Sequence, residues 1–389
     1  MPKQDRRFSL FGAYDATLLV VVLVLLIIGL LAVYSATVWL AASNGNPAYW
    51  FRKQLLWAAL GVPVMLTVSR IPYTLWRRLA VPMLVGTLLM LFVVLLMPAI
   101  FGSRRFLLGR SVQPSEVAKF ALVVYASTWL ASRRDRLNDV GYGLIPFSAI
   151  LGLVGGMVAL QPDIGTAFLL VSVGMVLFFI AGAELRQLLV TVAVGGVTFA
   201  ALIAASAHAQ QRIEELLVVW NNPDAERWSQ LTQALRVMRM GGVWGQGPGA
   251  LDMYVPAIHH DFILAAVGHA FGLVGVSTVL VLFGILAYRG YVIAGHAPDP
   301  FAQLMAAGMT TWLILQALVN MGVAVAVLPP TGITLPFVSY GGSSLLVSLA
   351  AAGVLLNISQ YVPMRMRGDA STHVRRGHGR TRVPRAERA

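Results

Sequence analysis

Ten stretches of this chain are apolar for about the length of a membrane crossing, and no other feature restricts its fold as strongly. A spanning helix needs about 20 mainly apolar residues, the number that crosses a hydrocarbon core of roughly 30 Å. The stretches lie near residues 15–36, 53–69, 79–98, 114–131, 142–160, 165–182, 188–207, 261–288, 300–328 and 340–360. Lipid leaves a backbone polar group no partner but another backbone group, so segments this long must be helical. The expected fold is an all-α polytopic membrane protein with about ten transmembrane helices. Charged side chains make up only 12% of the chain, against about a quarter in soluble domains. The apolar run Ala16 to Val33 exceeds the roughly 7 to 15 residues of a signal-peptide core, so the first span is expected to be retained.

Basic residues decide orientation. Lysine and arginine number 29 against 16 acidic residues, a net charge of +13. They punctuate the apolar runs rather than form one patch, so a nucleic-acid partner is not expected. With the N-terminus inside, 19 of the 29 fall on the cytoplasmic side, among them Arg77, Arg78, Arg133, Arg134 and eight arginines beyond Tyr361. Both termini are therefore expected in the cytoplasm, the chain dividing into a short segment 1–14, a membrane domain 15–360 and a basic tail 361–389. The tail reads as a disordered topology anchor drawn to anionic lipid. Cysteine is absent, which excludes disulfides and thiolate chemistry.

Between the seventh and eighth spans, residues 208–260 form one large loop expected on the extracellular side. Connections this long are usually functional or disordered, and this one is not low-complexity. It holds Trp220, Trp228 and Trp244, a run from Leu231 to Met240 with helical apolar spacing, and a glycine-rich turn from Gly241 to Gly249. Amphipathic pieces lying at the outer interface are expected there.

Ionisable residues within spans are costly and mark function unless they pair structurally. Glu116 and Lys119 sit three apart, on one face near the outer end of the fourth span, either as a self-neutralising pair or as substrate groups. Asp163, in Gln161-Pro162-Asp163-Ile164-Gly165-Thr166, suits an N-cap of the sixth span. Asp261 opens the eighth span after the long loop, and either caps it or serves as a general base. Arg104, Arg105 and Arg110, joined by Arg52 and Lys53, form an external basic cluster whose guanidinium forks match phosphate oxygens. His259 and His260 are adjacent and point differently on a helix, so with His269 they make a poor metal set. The glycine run lacks the preceding strand of a phosphate loop. Three prolines and a glycine pair between Pro329 and Ser344 imply a broken or re-entrant segment, tolerable only where protein or water satisfies its backbone.

Taken in order, these motifs resemble the SEDS family, the FtsW, RodA and SpoVE proteins that polymerise peptidoglycan from lipid II. The resemblance covers about residues 15–360. It is carried by Tyr34-Ser35-Ala36, Lys53-Gln54, Arg105-Phe106, Gln113-Pro114-Ser115-Glu116 with Lys119, and Gln161-Pro162-Asp163 with Gly165-Thr166. Gln233, Gly241-Gly242, His259 with Asp261-Phe262-Ile263, and Pro336 to Ser344 complete it. Gly332-Ile333-Thr334-Leu335-Pro336 leans towards the FtsW and SpoVE branch. Departures from the family pattern are His260 for a usual Thr, Phe106 for a usual Trp, Gly268-His269-Ala270 where Gly-Glu-Glu is frequent, and a loop segment Leu251 to Ala257 without the usual Lys and Glu.

The resemblance implies a multi-pass protein of the bacterial cytoplasmic membrane, with an outward-facing site that joins lipid II into glycan strands during division or elongation. Asp261 is implied as the catalytic base. Substrate binding is implied for Arg104, Arg105, Arg110, Glu116, Lys119, Asp163, Lys53, His259, Gln233, Ser339 and Ser343. The implied partners are lipid II, a class B penicillin-binding transpeptidase, and divisome or elongasome proteins. No cofactor is called for with certainty, a divalent cation remaining open. Two other readings stay beside the enzyme: a lipid II flippase or transporter, and a non-catalytic scaffold for the transpeptidase.

Overall fold

A computed structural model describes residues 14–43, 48–97, 113–221 and 229–362, and among these there are helices and turns but no strand. Twelve α-helices follow in order: α1 Ala16–Ser43, α2 Tyr49–Arg70, α3 Tyr73–Leu96, α4 Pro114–Ser132, α5 Ile145–Ala159, α6 Ile164–Ile180, α7 Leu185–Ala205, α8 Ala207–Asn221, α9 Gln230–Met240, α10 Ile263–Gly295, α11 Pro300–Ala324 and α12 Gly342–Ser359. Each of the ten expected spans falls on one of them, and α8 and α9 are the amphipathic pieces of the long loop. Seven segments are long and apolar enough to cross a membrane by length and composition. The other three helices on expected spans are α2 and α4, which carry charged residues in their turns, and α6, which is 17 residues long.

Local chemistry sets the helix ends. Asp163 Oδ1 accepts from Thr166 N at 3.4 Å and starts α6. Asp299 does the same for Ala302 N at 3.0 Å, with Pro300 in the first turn of α11. Ser229 Oγ accepts from Thr232 N at 3.2 Å and starts α9. Side-chain oxygens there satisfy amides that a helix start leaves unpaired. Asp261 is not such a cap. The eighth-span helix begins at Ile263 with Phe262 in the cap position and no side-chain cap, because a turn in which His260 N and Asp261 N both bond Ala257 O precedes it. The second helix also starts earlier than expected, so Lys53 lies in its second turn rather than at its opening.

Packing centres on α11, whose faces are buried against α4, α6, α10 and α12, while α2 lies along α12 and α1 along α10. Small residues let these backbones approach: a Cβ at Gly353 of α12 would stand 2.5 Å from Met65 O of α2. In contrast, α7 packs on α6 and α8 with Gln187 as its one buried residue. That is the pattern of a helix surrounded by lipid.

Between α11 and α12 the chain is irregular, as its prolines and glycines imply. Its backbone is satisfied by protein: Asn320 Nδ2 donates to Ile333 O at 2.8 Å, Gln316 Nε2 to Thr334 O at 2.9 Å, and Leu335 N to Ser339 Oγ at 2.9 Å. Phe337 adopts φ 66° there and is 1% exposed.

Candidate functional site

The N-terminal turn of α4, the C-terminal third of α11, the 331–341 segment and the turn before α10 meet in a buried polar chain. It starts at Lys119 and Glu116, 2% and 5% exposed, paired at 2.8 Å. Among the described residues, that Glu116 oxygen has Lys119 as its ion-pair partner and no hydrogen-bond donor besides. Lys119 Nζ also donates to Gln316 Oε1 at 2.7 Å, and Trp312 Nε1 donates to the same oxygen at 2.8 Å. Gln316 hands the chain to Thr334, whose hydroxyl lies 2.7 Å from Ser344 Oγ.

One turn along α11, Asn320 Nδ2 bridges Ile333 O and Asp261 O, at 2.8 and 2.9 Å. A single helix thus sets the position of Lys119 through one amide and of the Asp261 backbone through the next. Asp261 itself is partly buried. Asp163 reaches the same region from α6: it is 2% exposed, accepts from Gln113 Nε2 at 3.4 Å, and stands two residues before Gly165, where a Cβ would lie 2.9 Å from Thr331 O.

A second, aromatic group borders Asp261. Trp50 of α2 packs against His259 and Tyr340, with both ring centroids 5.2 Å away. Main-chain and side-chain bonds fix this contact: Tyr340 N to His259 O at 2.9 Å, Ser339 Oγ to His260 O at 2.7 Å, and Gln54 Nε2 to Ser339 O at 3.1 Å. Burial, aided by the neighbouring His260, pushes the His259 imidazole down to about 3. Burial, with Tyr49 nearby, pushes the Tyr340 phenol up to about 12. Both rings are therefore neutral at physiological pH.

Among the residues expected at the site, the structure gathers Glu116, Lys119, Asp163, His259, Asp261 and Ser339. The Ser339 hydroxyl is engaged with Leu335 N and His260 O and holds the turn together. Lys119 likewise meets protein partners on two sides. Lys53 is exposed, its ammonium 4.6 Å from the Tyr49 ring centre. Gln233 is partly buried on α9 where that helix meets α10 and α11, and Ser343 is partly buried in the first turn of α12. Arg104, Arg105 and Arg110 lie outside the described residues. No group of three or more His, Cys, Asp or Glu suited to a metal ion is present among the described residues. Sequence reasoning missed Gln316, Asn320, Trp312 and Trp50. The signal available was an amide pair four residues apart on an otherwise apolar span.

The model of a family described as cell cycle proteins, FtsW, RodA and SpoVE, matches residues 15–363. Among curated relatives, a probable peptidoglycan glycosyltransferase FtsW of Trichlorobacter lovleyi is 38% identical over 356 residues, 89% of this chain and 93% of the relative. The stage V sporulation protein E of Bacillus subtilis is 34% identical, over 89% of this chain and 97% of its own length. Among solved structures, a chain described under polymerization and crosslinking by a peptidoglycan synthase complex matches with a TM-score of 0.73 at 27% identity, covering 90% of this chain and 98% of that one. The rod shape determining protein RodA of Thermus thermophilus matches with a TM-score of 0.66 at 28% identity, covering 89% and 97%.

Proposed function

This chain belongs to the FtsW, RodA and SpoVE family of cell cycle proteins, and on that premise we propose that it is a peptidoglycan glycosyltransferase that polymerises lipid II on the outer face of the cytoplasmic membrane. The arrangement that supports this most directly is the double hold of α11, through Gln316 on Lys119 and through Asn320 on the Asp261 main chain. Such a hold ties the Asp261 main chain to the same helix that anchors the buried Lys119, the rigid support that a proton-transferring residue needs.

Asp261 accepts the proton of the acceptor sugar 4-hydroxyl as that oxygen attacks the anomeric carbon of the donor. The new carbon–oxygen bond forms while the bond to the lipid pyrophosphate breaks, its electron pair leaving with the pyrophosphate, and the configuration inverts. Arg104, Arg105 and Arg110 neutralise the leaving charge. Lys119, engaged by Glu116 and Gln316, acts by positioning α4 and α11 rather than by touching substrate.

A flippase would carry its polar groups near mid-span. Here Glu116 lies in the first turn of α4, Asp163 caps α6 and Asp261 precedes α10, which favours chemistry at a membrane face. The partners that follow from this reading are a class B penicillin-binding transpeptidase and the divisome or elongasome proteins around it.

The test uses full-length protein in nanodiscs with fluorescent lipid II, with and without the transpeptidase. Asp261→Asn is expected to lower polymerisation by about 10²- to 10⁴-fold, the range for loss of a general base, while folding is retained. Asp252→Asn, in the same loop, is expected to stay active. Near-normal polymer from Asp261→Asn removes Asp261 from the mechanism, and no polymer from the wild type under either condition removes the activity.

A further inference from the structure

We propose that the rings of Tyr49, Trp50, His259, His260 and Tyr340 form a subsite that takes a sugar ring of the lipid-linked substrate and holds it beside Asp261. The proposal rests on the glycosyltransferase reading and adds to it a place for the carbohydrate.

Three separate parts of the chain supply these rings: the first turn of α2, the turn before α10 and the end of the segment before α12, where Tyr340 stands two residues ahead of the helix. They nevertheless form one continuous surface. Tyr49 and Trp50 lie 5.3 Å apart between centroids at 84°, Trp50 and Tyr340 5.2 Å at 86°, His260 and Tyr340 5.2 Å at 74°, and His259 and His260 4.3 Å at 43°. The first three are edge-to-face pairs, a favoured arrangement of aromatic rings. Backbone bonds between residues 259–260 and 339–340 fix it further, so the surface exists before a ligand arrives. Preformed surfaces lose little freedom on binding.

The surface is open at its rim and closed at its base. Tyr49 is 42% exposed, Trp50, His260 and Tyr340 keep part of their area accessible, and His259 is 9% exposed beneath them. The rings also offer single polar atoms: His260 Nδ1 lies 2.8 Å from Tyr340 O and donates its hydrogen to that carbonyl. Tyr340 keeps its phenolic proton and His259 stays neutral, for the reasons of burial given above.

A pyranose matches this surface: its C–H face is apolar and its rim carries hydroxyls that need one donor or acceptor each. A pyrophosphate does not, because it calls for convergent cations and Lys53 is the one cation packed on this ring group among the described residues. Rings of an interfacial belt, which orient towards headgroups, have no need of three segments tied together by hydrogen bonds. The surface also adjoins the proposed base directly, since His260 precedes Asp261 in sequence.

The experiment measures equilibrium binding to the full-length protein in nanodiscs, on an Asp261→Asn background that prevents turnover. Two fluorescent ligands are compared, lipid II and undecaprenyl pyrophosphate, which lacks the sugars. Trp50→Leu is expected to weaken lipid II binding roughly fivefold, as loss of one aromatic contact does, and to leave undecaprenyl pyrophosphate binding unchanged. With Asp261 restored, KM for lipid II is expected to rise while kcat holds, the signature of lost ground-state binding. Tyr49→Leu, on the exposed rim, reads the same effect should Trp50→Leu lower the melting temperature. Equal weakening of both ligands assigns the rings to the lipid or pyrophosphate and overturns the proposal, as does unchanged lipid II binding in both variants. If the wild type binds lipid II with that discrimination yet forms no polymer, the enzymatic reading fails and the subsite stands.

Discussion

Gln316 joins three segments with one side chain: its oxygen accepts from Lys119 and Trp312, and its nitrogen donates to Thr334. It is fully buried, so the partners it leaves behind cannot turn to water. Gln316→Leu is expected to lower stability by about 1–3 kcal/mol for each polar group stranded, read as a fall in the thermal unfolding midpoint in detergent. Combined with Lys119→Met, the two losses are expected to be non-additive by roughly 0.5–3 kcal/mol, as for residues in contact. Strictly additive losses would show that the amide and the ammonium do not share their energy. At this scale legibility follows cost. Glu116, Lys119 and Asp163 stand out in the sequence because a charge in a span demands an explanation. Gln316, Asn320 and Gln54 demand less, and pass as ordinary polar substitutions until the structure shows what they hold. Asp261 was read either as a base or as a cap, and the cap reading fails because the turn at Ala257 shifts the helix start by two residues.

Helix α10 and the glycine-rich turn behave as one element. At Gly272, φ 66° interrupts the helix and frees four backbone groups. Gln246 N and Gly247 N take the carbonyls of His269 and Ala270 at 2.9 and 3.1 Å, while Leu273 N and Val274 N turn to Gly242 O and Val243 O at 2.9 and 3.2 Å. The kink is thus spliced by a loop 23 or more residues away in sequence, and it needs bare backbone: a Cβ at Gly241 would stand 1.9 Å from Gly268 O. Gly241→Ala is therefore expected to detach the turn, raising trypsin cleavage after the exposed Arg239 and lowering polymerisation. Unchanged cleavage would mean that the splice is not what orders the loop. Helix α9 was readable from its apolar spacing between Leu231 and Met240, a local property. The kink was not, because hydropathy runs unbroken through Gly272 and its partner lies in another segment.

For the whole molecule, hydropathy located ten helices, and its weak points are as informative as its peaks. Two of the three helices that fall short as spans by length and composition, α4 and α6, bring Lys119 with Glu116 and Asp163 to the polar region, and the third, α2, brings Trp50 and Gln54. The charged residues of α2 and α4 and the short length of α6, cut at its Asp163 cap, both fall where the polar region lies. Which side of the membrane the site faces rests on a different quantity, the 19-to-10 division of basic residues. Under the proposed function, both the pyrophosphate chemistry and the sugar subsite require the turn before α10 to face outward. The chain has no cysteine, so single thiols report their own side without background. Gln246→Cys, on the exposed turn spliced to α10, is expected to react with an impermeant maleimide in intact spheroplasts, and Ser132→Cys, exposed at the far end of α4, only after permeabilisation. Labelling in the opposite pattern would put Asp261 and the aromatic subsite in the cytoplasm, where no glycan strand is made, and the glycosyltransferase reading would have to be given up with them.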